Sequence, residues 1–217
     1  MGEAHSLDEL RVQLAPGIAA AAAFDGWSDA AVRDAAQAAG IDPDAAQFAF
    51  SGGAMQMIEA WVHSVDAAMA QALPAEQIVK LKIRERIRTL VQFRLDAVAG
   101  QKEALRRALA IMAMPQNAAR TLKLGWSSAD AMWRLAGDTA TDYNHYTKRL
   151  TLGSIYAATL AVYVDDTSDD HAETKAFLDR RIEGIMKFEK AKARLLRPRE
   201  EMFSPARFLG RLRYPAG

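Results

Sequence analysis

The chain has 217 residues, half of them apolar, which is enough for one sizeable core; no long loop-forming stretch interrupts it, so a single domain with a tail is predicted. Its 28 Lys and Arg against 27 Asp and Glu leave a formal net charge of +1, so no global basic field draws in nucleic acid. The absence of cysteine excludes disulfides, a thiolate nucleophile and a zinc thiolate site.

The first ten residues, MGEAHSLDEL, carry acidic side chains and no apolar run. They read as neither a secretory signal nor an Arg-rich transit peptide, which leads to the expectation of a cytoplasmic or already processed protein. Beyond them, Ala, Leu, Met, Lys, Arg and Glu recur at helical spacing and strand signals are nearly lacking, so the class is all-α. Stops fall at Gly26, Gly40 with Pro43, Gly52-Gly53, Pro74, Gly100, Pro115, Gly137, the acidic run Asp165 to Asp170, and Pro198. That punctuation predicts about nine helices and a C-terminal appendix.

The segment Phe24 to Trp61 begins with a Gly-aromatic turn and an Ala-rich helix ending in Ala-Gly-Ile, followed by a short helix and a long one. Ala35, Ala36, Ala38 and Ala39 suit close helix approach, and Gly40 suits the tight turn between the pair. A DNA-reading second helix needs cations for phosphates and amides or Arg for base edges. Here Asp42, Pro43, Asp44, Ala45, Ala46, Gln47 and Phe48 offer two carboxylates and one amide. In the basic stretch Lys80 to Arg94, the residues Ile83, Ile87, Leu90 and Val91 share a face opposite Lys80, Arg84 and Arg88, which reads as a solvated face over a core stripe. Leu150 to Val164 is apolar nearly all round but too short to span a bilayer, so it reads as a buried helix.

Catalytic and metal chemistry find little support. His5, His63, His145 and His171 are scattered, and Glu59 with His63 is a single pair on one helix face, short of a metal site. No phosphate loop or nucleophile elbow occurs. The run of Asp165, Asp166, Asp169 and Asp170 lacks the glycine and terminal Glu of a calcium loop, and Ser168 with Asp169 or Asp170 reads as the start of the next helix. Around Ala54 to Met69, Leu105 to Met114, Leu122 to Leu135 and Leu150 to Val164, many Met, Leu, Ile and Trp side chains converge. By composition that pattern reads as a filled core before it reads as an adaptable apolar cavity. In the tail, Phe208, Leu209 and Leu212 lie opposite Arg207 and Arg211 on a short helical arc, which suits either an interfacial helix or a disordered basic tail.

The densest cluster of uncommon residues is Ala136 to Arg149, AGDTATDYNHYTKR. Asp138, Thr139, Thr141 and Asp142 read as N-cap chemistry after a helix stop at Gly137, and Tyr143, His145 and Tyr146 fall on the first turns of the next helix. This segment, with MPQNA at Met114 to Ala118, MWRLAGD at Met132 to Asp138 and FLDRRI at Phe177 to Ile182, resembles the lipid-binding accessory proteins of ubiquinone biosynthesis, the ninth component of that pathway. In that family the motif carries Phe where Tyr143 stands and Trp where His145 stands. The segment Phe24 to Trp61 is similar to the three-helix head of TetR-type repressors.

The resemblance implies a TetR-like all-α bundle with an amphipathic C-terminal appendix and no role on DNA. It divides the chain into a head at 1–73, a lipid-binding and dimerisation body at 74–197, and a tail at 198–217. It implies a non-enzymatic protein without a cofactor or metal of its own. Such a protein would lie at the inner membrane, form a homodimer, bind an isoprenoid or quinone lipid and present it to the di-iron hydroxylase of demethoxy-ubiquinone. By the same resemblance, Met132, Leu135, Asp142, His145 and Tyr146 dock that partner, and the tail residues named above touch the membrane. A transcriptional regulator with an apolar effector pocket is the main alternative, and an enzyme with an unrecognised site is a weaker one. The acidic second helix counts against the first, and the missing ligand and nucleophile spacings count against the second.

Overall fold

The computed structural model describes residues 6–195 and, among them, holds ten α-helices and no strand. They are α1 (Leu7–Asp25), α2 (Asp29–Ala39), α3 (Pro43–Ala49), α4 (Ala54–Ala72), α5 (Ala75–Ile78), α6 (Ile83–Ala97), α7 (Lys102–Met112), α8 (Ala118–Leu135), α9 (Tyr143–Asp165) and α10 (Ala172–Leu195). The tail residues Arg207, Phe208, Leu209, Arg211 and Leu212 lie outside the described residues.

The boundaries follow capping chemistry. Ser6 and Glu9 form a reciprocal capping box at α1, with Ser6 N–H donating to Glu9 Oε2 at 2.7 Å. Ser28 caps α2, and α2 ends at Gly40 in the left-handed region, φ 67° and ψ 27°, a conformation without steric cost only for glycine. Asp42 caps α3, its Oδ1 accepting from Asp44 N–H at 3.1 Å.

The punctuation merged one pair of helices. Between Pro74 and Gly100 the chain makes α5 and α6, because the guanidinium of Arg86 donates to the carbonyls of Val79 (2.5 Å) and Leu81 (2.8 Å). Those acceptors are thereby satisfied without a continuous helix. Two details of the basic stretch also change. Lys80 precedes α6 and Ile83 is exposed at its start, so the core face is Ile87, Leu90, Val91 and Leu95.

Residues up to Leu178 form one compact unit, and Asp179 onward belongs to a second. Within the first, α1 packs on α2 along small residues. A Cβ on Gly17 would lie only 3.2 Å from Ala35 Cβ, so neither position has room to grow. Ala35 and Ala36 are buried there, whereas Ala38 and Ala39 are exposed and take no part in the close approach. The helix α4 packs against α1 and also against α6, α7 and α8, so segments 6–73 and 74–178 share one core. Trp27 reinforces that junction by donating its indole N–H to the Ala104 carbonyl (3.0 Å) and stacking on Trp61.

Candidate functional site

The helices α4, α6, α7, α8 and α9 enclose a cavity of about 420 Å³, within the range of small-molecule sites. Its wall is almost wholly apolar, with Trp61, Leu105, Met112 and Leu124 among the lining residues. Leu122 of α8 and Leu150 of α9 also line it and are 74% and 69% exposed, so the mouth opens between these two helices. Composition alone favours a filled core here, because the residues that fill a core are the ones that line an apolar void.

The polar exceptions are on the inside. Arg94 is 1% exposed: Nη1 is paired with Asp66, Nη2 donates to Ser128 Oγ at 3.1 Å, and the guanidinium lies over the Tyr156 ring. Arg149, equally buried, ties together the ends of two helices. Its Nε donates to Asp130 at 2.6 Å, and its Nη1 donates to Asp138 at 2.9 Å and to the His145 carbonyl at 3.1 Å. The second oxygen of Asp138 takes Lys148 Nζ at 2.6 Å.

Asp138 therefore does not cap α9. Burial pushes its carboxyl upward, but hydrogen bonds from Lys148 and Arg149 outweigh this and hold it below the usual carboxylate range. For Arg149, burial works against the charged form, and the bonds to Asp130 and Asp138 more than restore it. The capping role falls to Asp142, whose carboxylate accepts from the backbone and side-chain amides of Asn144, both at 3.0 Å. Gly137 makes the turn at φ 83°, where a Cβ would also collide with Val79 Cγ1 at 2.8 Å.

This welded α8–α9 hairpin displays the residues singled out by sequence. Tyr146 is 61% exposed, His145 is half-buried, and their rings meet edge-on at 5.2 Å. His145 Nδ1 lies 2.9 Å from the Ala140 carbonyl, which makes it the protonated ring nitrogen. Both rings pack against Trp126, a cavity-lining residue that sequence reasoning did not single out, at 5.8 Å for Tyr146 and 6.2 Å for His145. Its signal was only a tryptophan among small residues in GWSSA, indistinguishable from a core aromatic. Asp142, His145 and Tyr146 thus share one edge of the hairpin beside the cavity mouth. Leu135 is half-buried, and Met132 is fully buried in the core and offers no contact surface.

Elsewhere the site candidates disperse. Glu59 is held by Arg120 in a bidentate pair at 2.9 and 2.7 Å instead of joining His63, whose ring lies near Asp66. In the acidic run the carboxylate with the most partners is Asp166, to which the sequence assigned no separate role. It is buried and accepts from the backbone and hydroxyl of both Ser168 and Thr174. Burial raises its pKa, but those four bonds win and hold it well below the ordinary range. Ser168 opens the turn into α10 as expected, its Oγ accepting from Glu173 N–H at 3.1 Å. No helix among the described residues is long and apolar enough to cross a membrane.

The fold defines an all-helical protein of the TetR architecture. A crystal structure of a TetR transcriptional regulator from Nitrosomonas europaea superposes with a TM-score of 0.62 over 80% of this chain and 95% of its own, at 21% identity, a likeness of fold alone. Residues 118–189, which run from α8 into α10, match the COQ9 family model. The mitochondrial ubiquinone biosynthesis protein COQ9 of Rattus norvegicus is 36% identical over 168 residues, covering 74% of this chain and 54% of its own. The human COQ9 protein is 33% identical over 168 residues, covering 74% and 52%. The chain is therefore a relative of the COQ9 proteins of ubiquinone biosynthesis, and it spans about half the length of these relatives.

Proposed function

We propose that this protein is a non-enzymatic accessory factor of ubiquinone biosynthesis. It takes an isoprenoid or quinone lipid into the α4–α9 cavity and presents it, at the inner membrane surface and as a homodimer, to the di-iron hydroxylase of demethoxy-ubiquinone. The observation that carries this reading is the apolar cavity whose mouth adjoins Trp126, His145 and Tyr146. An isoprenoid chain suits such a wall, since each buried CH₂ contributes roughly 0.8 kcal/mol without directional chemistry. A partner seated on Tyr146 would sit directly beside the exit. The relatives' names, which place them in ubiquinone biosynthesis and in mitochondria, support the pathway. Any redox metal belongs to the partner, and this chain supplies the hold and the display.

The test is to purify the full chain, extract it with organic solvent and weigh the extract by mass spectrometry. A neutral polyisoprenoid in stoichiometric amount is expected. Protein that carries no lipid and fails to take up N-phenylnaphthylamine, an apolar fluorescent probe, overturns the reading.

A further inference from the structure

An almost wholly apolar cavity has no need of a buried guanidinium, yet Arg94 and Ser128 both line it, at 1% and 2% exposure. The hydrogen bonds within the wall leave two donors over. Arg94 uses Nη1 on Asp66 and Nη2 on Ser128 Oγ, while its Nε–H has no partner. Ser128 accepts from Arg94, and its own hydroxyl hydrogen reaches no acceptor among the described residues. A buried donor left unsatisfied is destabilising, so such a pair in a cavity wall signals a missing acceptor.

Resting on the proposal that the cavity holds a lipid, we infer that its inner wall is a hydrogen-bonding pole for an uncharged oxygen acceptor. The guest is a long apolar chain ending in a carbonyl, quinone or ether oxygen, held oxygen-inward against Arg94 Nε and the Ser128 hydroxyl. The pole selects a neutral end because Asp66 already neutralises the guanidinium. A carboxylate or phosphate there would place a second anion on one cation, away from water. The Tyr156 ring under the guanidinium fixes its plane, and Ser128 on α8 holds the other edge. The oxygenated end is thereby kept from the mouth at Leu122 and Leu150, and release toward Tyr146 requires those two bonds to break.

Displacement of N-phenylnaphthylamine from the full chain by methyl nonyl ketone, undecane and decanoate tests this, with helicity and thermal midpoint followed for every variant. The ketone is expected to displace the probe at about tenfold lower concentration than undecane, the size of one well-made hydrogen bond. Decanoate is expected to do no better than undecane. Ser128→Ala removes the hydroxyl, and Arg94→Lys keeps a cation for Asp66 while removing the Nε donor. Either change removes one of the two bonds and should reduce the ketone's advantage over undecane. If Arg94→Lys does not fold, Ser128→Ala alone decides. Equal displacement by ketone and undecane in the unaltered protein, or a ketone preference that survives undiminished in the folded variants, overturns the pole and leaves the lipid cavity standing. Decanoate binding more tightly than the ketone overturns neutral selection. A protein that never takes up the probe overturns the lipid reading itself.

Discussion

At Asp138 the local sequence and the tertiary environment pull in different directions. Its neighbours suggest a helix cap, but the carboxylate is 4% exposed between Arg149 and Lys148, and Asp142 caps α9 instead. Removing one member of such a buried pair strands the other, so Arg149→Met should cost about 3 kcal/mol or more in urea unfolding, because Asp130 and Asp138 would lose their shared cation. A midpoint unchanged by that substitution would mean that the hairpin is held by packing alone. The acid dependence of stability has a defined sign. Asp138 and Asp166 both have lowered carboxyl pKa values in the fold, so their contribution is complete above the unfolded value, about 4. It is lost as pH falls below that value through the folded ones. Urea midpoints should therefore hold steady from about pH 7 to 5 and fall below about pH 4. Asp166→Asn should lower the midpoint at neutral pH and flatten the acid loss, and an equally steep loss in the variant would assign it to other carboxylates.

At the scale of an element, the α8–α9 hairpin couples a rigid frame to an open edge. Arg149 and Trp133, whose indole N–H donates to the Lys148 carbonyl at 2.9 Å, fix the frame, while Tyr146 rests on Trp126 with most of its surface free. The proposed docking role makes Tyr146→Ala weaken capture of the hydroxylase by roughly tenfold or more, as truncation of an aromatic anchor does, with little change in thermal midpoint. Unaltered capture by the folded variant would remove this edge from the interface. His145→Trp enlarges the aromatic area beside Trp126 and should tighten the same complex. The order of residues across this edge was legible from the spacing of Asp142, His145 and Tyr146 along one helix. Met132, ten residues earlier and on α8, was not separable from them, because a motif records which residues recur together without recording which of them face water.

For the whole molecule, a TetR architecture is present with an acidic second helix of the head pair. The outer side of α3 carries Asp42, Asp44 and Phe48, all exposed, where a phosphate-facing helix needs cations. Binding to duplex DNA at physiological salt should be no tighter than about 10⁻⁴ M. A sequence-selective, salt-resistant shift in a gel would restore the regulator reading. The same fold that carries an acidic α3 in its head holds the apolar cavity in its body.

The all-α class, most helix boundaries and the acidic character of α3 follow from the sequence by itself, because capping residues, glycine turns and helical periodicity act within a few residues of one another. The cavity, the inward-facing Arg94, the buried Asp166 and Met132 and the enclosed carboxylate of Asp138 were decided only by the tertiary structure. Each depends on which helices meet, and residues far apart in the chain set that meeting. Asp66 and Ser128 come to Arg94 from 28 and 34 positions away. An apolar stripe states that a helix face leaves water. Whether it then closes on another side chain or on empty space is settled by the distance between the helix backbones, which no local pattern encodes.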